Sequence, residues 1–148
     1  MNIILIFTYG ISLKNWKESG LLSREIKLYD ELNKKYQIKF TFLTFGGSED
    51  KFILDNYKFI DVIPIQSIIS FTNIRFINFI KSLFIPFKLK KNLQHIDLIK
   101  TNQLHGSWIG IILKILLKKP LMIRTGYDVL QFKIYQKKPN YIIFFYRF

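Results

Sequence analysis

Apolar positions along this chain switch repeatedly between unbroken runs and steps of three or four. Ile3 to Phe7 is apolar on both faces, as a strand buried centrally in a sheet must be. Tyr9-Gly10 breaks the run, and a polar loop follows to Gly20. Beyond it Leu22, Ile26, Tyr29, Leu32 and Tyr36 recur at helical spacing, which predicts an amphipathic helix from Leu21 to Tyr36, with Ser19 placed to cap it. Ile38 to Phe45 returns to a strand pattern and ends at the turn Gly46-Gly47-Ser48. A short helix or loop is expected between Asp50 and Tyr57, then a third strand from Phe59 to Ile65, stopped by Pro64 and Gln66.

Ile74 to Leu93 reads as one long helical segment that Pro86 should kink or split. Ile96 to Thr101 is a fourth strand. Ser107 to Leu117 is a helix so apolar that both of its sides are expected to be packed. Lys118-Lys119-Pro120 closes it, and Leu121 to Arg124 is the last clear strand. The order β-α-β-(short α)-β-α-β-α-β-α implies an α/β domain with a doubly wound, mostly parallel sheet. Residues 129–148 are amphipathic and aromatic and stop without a terminating signal, as if in mid-element.

Composition narrows the chemistry. The chain has 148 residues, 49% of them hydrophobic and 17% aromatic, enough for one domain with a real core. It has no cysteine and only His95 and His105, so a thiolate nucleophile, a cysteine-ligated metal and a histidine-rich metal site are excluded. The net charge is +13, from 23 basic and 10 acidic residues, which suits an anionic membrane surface, a phosphorylated substrate or nucleic acid. An A/T-rich coding bias toward Lys, Ile, Asn, Phe and Tyr accounts for the excess equally well. No nucleic-acid module is visible and Arg is scarce, so nucleic acid is not expected as a partner. The start lacks the pattern of a signal peptide, and no apolar run has a spanning length.

Three predicted strand ends carry glycine and polar residues: Tyr9 to Gly20, Thr101 to Gly106, and Arg124 to Asp128. In parallel α/β sheets the crevice beyond such ends binds ligands. Gly10 and Gly20 would let backbone approach a phosphate or sugar, although neither G-x-G-x-x-G nor a P-loop is present. Arg24 lies in the first turn of a helix, where an anion is favoured. His105 stands beside Gly106 and Trp108, placed for a base or a sugar contact, or for satisfying local backbone. His95, at a helix end, reads as structural. Arg124 ends a strand that should be buried, which calls for an anionic partner such as Asp128, or for a working role of the pair. Between Phe71 and Lys91, five Phe alternate with Arg75, Lys81, Lys88, Lys90 and Lys91, a basic-aromatic face suited to an anionic bilayer surface or to a solvated core helix.

Tyr9-Gly10, Glu18 to Glu25, Phe42 to Gly46, Lys100 to Gln103 and Arg124 to Asp128 together resemble the N-terminal domain of family-4 glycosyltransferases of GT-B fold. The resemblance implies a Rossmann-like half, residues 1–128, on the acceptor side of a two-domain enzyme, with 129–148 leading toward a C-terminal donor-binding half. That half, with its paired-glutamate motif, is not in this sequence, so the chain is expected to be an incomplete piece and inactive alone. The implied reaction moves a sugar from a nucleotide-sugar to a hydroxyl of a glycan or lipid-linked acceptor, without metal or cofactor. The implied contacts are Gly10, Glu18, Ser19, Gly20, Arg24, Gln103, His105, Arg124, Thr125, Gly126 and Tyr127, with Asp128 as the catalytic candidate. The implied location is cytoplasmic, peripheral on the inner face of the cell membrane. The alternative is a non-enzymatic domain that binds a membrane surface.

Overall fold

The computed structural model describes residues 1–125. Five parallel strands form one sheet in the order β3-β2-β1-β4-β5. They are β1 (Asn2–Ile6), β2 (Lys39–Thr44), β3 (Ile60–Pro64), β4 (Leu98–Thr101) and β5 (Leu121–Met122). The central place of β1 follows from its composition: Ile3 to Phe7 are all buried. Register places Leu5 beside Phe42 and Lys100, and Ile6 beside Leu43 and Thr101.

Among the described residues six α-helices connect the strands: α1 (Leu13–Glu18), α2 (Leu21–Tyr36), α3 (Asp50–Ile53), α4 (Arg75–Ser82), α5 (Ile85–Leu89) and α6 (Ser107–Leu117). Tyr29 of α2 meets Phe40 and Phe42 edge-on, and Trp16 of α1 stacks on Phe7 at 4.3 Å. These aromatics cover the sheet face that carries Leu5. On the other face, Gly110 of α6 lies so close to Ile6, Thr101 and Leu121 that a Cβ there would touch all three. With helices on both faces of an all-parallel sheet, the domain is a Rossmann-like α/β fold.

Several expectations need correcting. The first loop contains a helix, α1, because Ser12 caps it and Trp16 anchors it in the core. Ser19 does not cap α2: it ends α1, its hydroxyl donating to the Asn15 carbonyl, while Gly20 takes the N-cap position in the left-handed region. The segment from Ile74 to Leu93 is two short helices. Its break falls at Leu83–Phe84, ahead of Pro86, which sits in the first turn of α5 where a missing N–H costs nothing. The last strand stops at Met122. One side of α6 is open among the described residues, with Ile115 70% and Ile111 45% exposed.

Candidate functional site

The strand order reverses direction between β1 and β4: from β1 the chain winds outward to β2 and β3, then returns to place β4 on the other side. In open parallel sheets this switch point is where a crevice forms beyond the strands' carboxyl ends. Here a cleft of about 650 Å³ lies at that point, lined by Thr8, Ile11, Trp16, Glu18, Ser19 and Gln103, among others. Its rim is sewn together by backbone bonds from Asn102 N to Ile6 O (2.8 Å) and from Tyr9 N to His105 O (3.1 Å). Gly106 permits the second of these. At φ +106 it lies so near β1 that a Cβ would come within 2.9 Å of the Phe7 carbonyl.

One wall of the cleft is α1, and a residue far away in sequence fixes it. Asp50 is fully buried, and its two carboxylate oxygens accept from Leu13 N (3.0 Å) and Lys14 N (3.1 Å). Ser12 and Asn15 complete a reciprocal cap, Asn15 N donating to Ser12 Oγ and Ser12 N to Asn15 Oδ1. The first-turn donors of α1 are thereby occupied. The first turn of α2, which starts at the same rim after Gly20, has no side-chain cap and no acidic residue. Its N–H groups have no side-chain acceptor among the described residues, and such groups suit an anion.

Behind that turn is an ionic cluster. The Glu25 carboxylate, 13% exposed, pairs with Arg24 at 3.0 Å and lies 3.8 Å from Arg124. Lys100 lies above the Tyr29 ring, 6.0 Å from its centroid. Desolvation, and then the charge of Arg124, push the Lys100 ammonium below its ordinary pKa, with Glu25 opposing. The Tyr29 hydroxyl is buried without a hydrogen-bond partner among the described residues. Burial first, and Glu25 second, push its pKa well above the ordinary value, against the opposing charge of Arg124.

The structure thus brings Glu18, Ser19 and Gln103 into one cleft together with Leu21, and Gly20 stands in the chain between two of its lining residues. Arg24 and Arg124 meet beside it, through Glu25. Arg124 is 45% exposed, so the expected buried arginine is corrected: its strand ends before it, and its carboxylate partner among the described residues is Glu25, while Asp128 lies outside them. Gly10 (φ +78) and His105 are exposed on the same rim, where His105 contributes its carbonyl to Tyr9. Thr125 is exposed at the end of the described chain; Gly126, Tyr127 and Asp128 lie outside the described residues. His95 is at the opposite, amino-terminal rim of the sheet, its carbonyl accepting from the Asn2 side chain.

Asp50, Asn15, Trp16 and Asn102 were not legible as site residues. Ser12-x-x-Asn15 approximates a capping-box spacing and was the one available signal. Nothing local marks Asp50, whose partners are 36 and 37 positions away.

The fold and rim define a Rossmann-like α/β protein with a cleft at its switch point. Comparison with family models, with curated proteins and with solved structures gives no match.

Proposed function

We propose that this chain is the acceptor-binding half of a glycosyltransferase of GT-B type, acting on a hydroxyl of a glycan or glycolipid with a nucleotide-sugar as donor. The observation that carries this reading is the switch-point cleft, where Ile11, Leu21 and the edge of the largely buried Trp16 are bordered by the Glu18 carboxylate and the Asn102 and Gln103 amides. A sugar ring asks for this combination, with an apolar surface for its C–H face and convergent polar groups for its hydroxyls. In the reaction, the bond from the sugar's anomeric carbon to the diphosphate breaks as a bond to the acceptor oxygen forms. The acceptor's proton leaves with the diphosphate, and a separate base is not required. The uncapped start of α2 is the described backbone best suited to stabilise that leaving group, and Asp128 stays the catalytic candidate.

The test is a titration of the full chain with methyl pyranosides and octyl glucoside, following the Trp16 indole N–H by NMR. Gln103→Ala and Glu18→Gln should each weaken binding about tenfold, the value of one hydrogen bond of about 1.4 kcal/mol. A Trp16 signal that no sugar moves, or that moves equally in Gln103→Ala, overturns the assignment.

A second reading has its own observation. Residues 62–96 contain Arg75, Lys81, Lys88, Lys90 and Lys91 and no acidic residue, and several of their large apolar side chains face solvent. That favours a domain docking on an anionic membrane surface, with or without catalysis. No helix among the described residues is long and apolar enough to cross a membrane.

A further inference from the structure

The turn between α4 and α5 is closed by tightened bonds, Leu83 N to Ile80 O and Phe84 N to Lys81 O, and Leu83 and Phe84 keep right-handed helical backbone through it. Phe76, Ile80, Phe84 and Phe87 follow one another at steps of four, four and three, which makes a single stripe. All four are exposed, Phe76 to 71% and both Phe84 and Phe87 to 59%. Three phenylalanines left in water on one stripe form a contact surface.

Two of the cations beside that stripe are held in place. Lys81 Nζ donates to the Ser70 carbonyl (2.7 Å) and Lys88 Nζ to the Ile68 carbonyl (3.3 Å). Each carbonyl takes one of the ammonium's three donors and leaves the others available. The pair flanks Phe84 on a groove of about 450 Å³ floored by Ile68 and Ile69. Charges anchored before a ligand arrives lose less side-chain freedom on binding.

We propose that this groove and stripe are a docking surface for an anionic bilayer, in which Lys81 and Lys88 clamp one lipid headgroup phosphate while Phe84 enters the acyl boundary. The proposal rests on the second reading above and sharpens it from a diffuse basic face to a defined headgroup site. Charge complementarity selects the occupant: with no acidic residue between Asp61 and Asp97, nothing on this stretch repels a negatively charged surface.

The experiment sediments the full chain with vesicles of phosphatidylcholine alone and with vesicles that also contain phosphatidylglycerol. Binding is expected only to the anionic vesicles and should weaken as salt is added. The pair Lys81→Gln and Lys88→Gln should lower partitioning about thirtyfold, as the loss of two cations at about 1 kcal/mol each. Lys90→Gln with Lys91→Gln, which removes the same charge without touching the groove, should lower it much less. Phe84→Ser should also weaken binding while leaving the thermal melt of the protein unchanged. Equal losses from the two lysine pairs overturn the clamp and leave the membrane reading standing; no binding to anionic vesicles overturns both. Unaltered binding in Phe84→Ser removes the insertion, and release by inorganic phosphate at matched ionic strength would make free phosphate the ligand instead of a bilayer.

Discussion

The two ends of the sheet carry depressions of nearly equal size, about 650 Å³ at the carboxyl rim and about 620 Å³ at the amino rim. Volume does not distinguish them; backbone does. The carboxyl rim gathers Gly10, Gly20 and Gly106, all with positive φ, and the starts of α1, α2 and α6. The amino rim is lined by strand starts and exposed side chains such as Lys39, Lys58 and Asp61. In a parallel sheet the helices begin at one rim only, so donor groups and dipole ends accumulate there. A hollow of the same size at the other rim lacks that field.

The two rims also differ in how they are braced, and this is where the comparison breaks most visibly. Asp50→Ala leaves the buried Leu13 N–H and the part-buried Lys14 N–H at the start of α1 without their acceptor and should destabilise the fold by about 2 kcal/mol. Its counterpart at the amino rim is Asp97, which accepts from the exposed Asn2 N–H at 2.8 Å. Asp97→Ala should cost well under about 1 kcal/mol, because water replaces the lost partner. Denaturant unfolding of both variants checks this; equal losses would mean that the carboxyl rim has no special brace.

Gly106→Ala should cost about 2 kcal/mol, since the new Cβ meets both a left-handed backbone and the Phe7 carbonyl. The measurement that isolates the rim is amide exchange at Tyr9, whose bond to the His105 carbonyl should open first. Protection unchanged at Tyr9 would detach Gly106 from the joining of β1 to β4.

The smallest effect is in the ionic cluster. The Tyr29 pKa is raised in the folded protein, so above the ordinary value near 10 the unfolded chain loses its proton first and stability falls. The Lys100 pKa is lowered, so between its folded value and the ordinary 10.5 the unfolded chain binds more protons and stability rises with pH. Tyr29→Phe removes the first effect and also a buried hydroxyl that has no partner among the described residues. It should be neutral or stabilising by up to about 1 kcal/mol near neutral pH, and its stability should climb across the alkaline range where the parent's is flattened. Unfolding free energies measured from about pH 8 to about pH 11 test this, and identical profiles for the two proteins would refute it.

Much of this architecture was readable in advance. Leu21–Tyr36 and Ser107–Leu117 were predicted at their observed limits, and β1 was predicted as central from its two apolar faces. The departures have separate causes. The helix α1 was hidden because its brace, Asp50, lies on the far side of α2 and β2 in the chain. The break at Leu83–Phe84 was displaced from Pro86 because proline is accommodated in a first turn.

By itself, then, the order of residues determined the main strands, the helices α2 and α6 and the glycines that punctuate them, because periodicity and turn chemistry act over a few neighbouring positions. Tertiary structure alone decided which rim residues share a cleft, which carboxylate answers Arg124, and which lysines are held by carbonyls. Those contacts join positions well apart along the chain, and they exist only once the sheet has set its strands side by side.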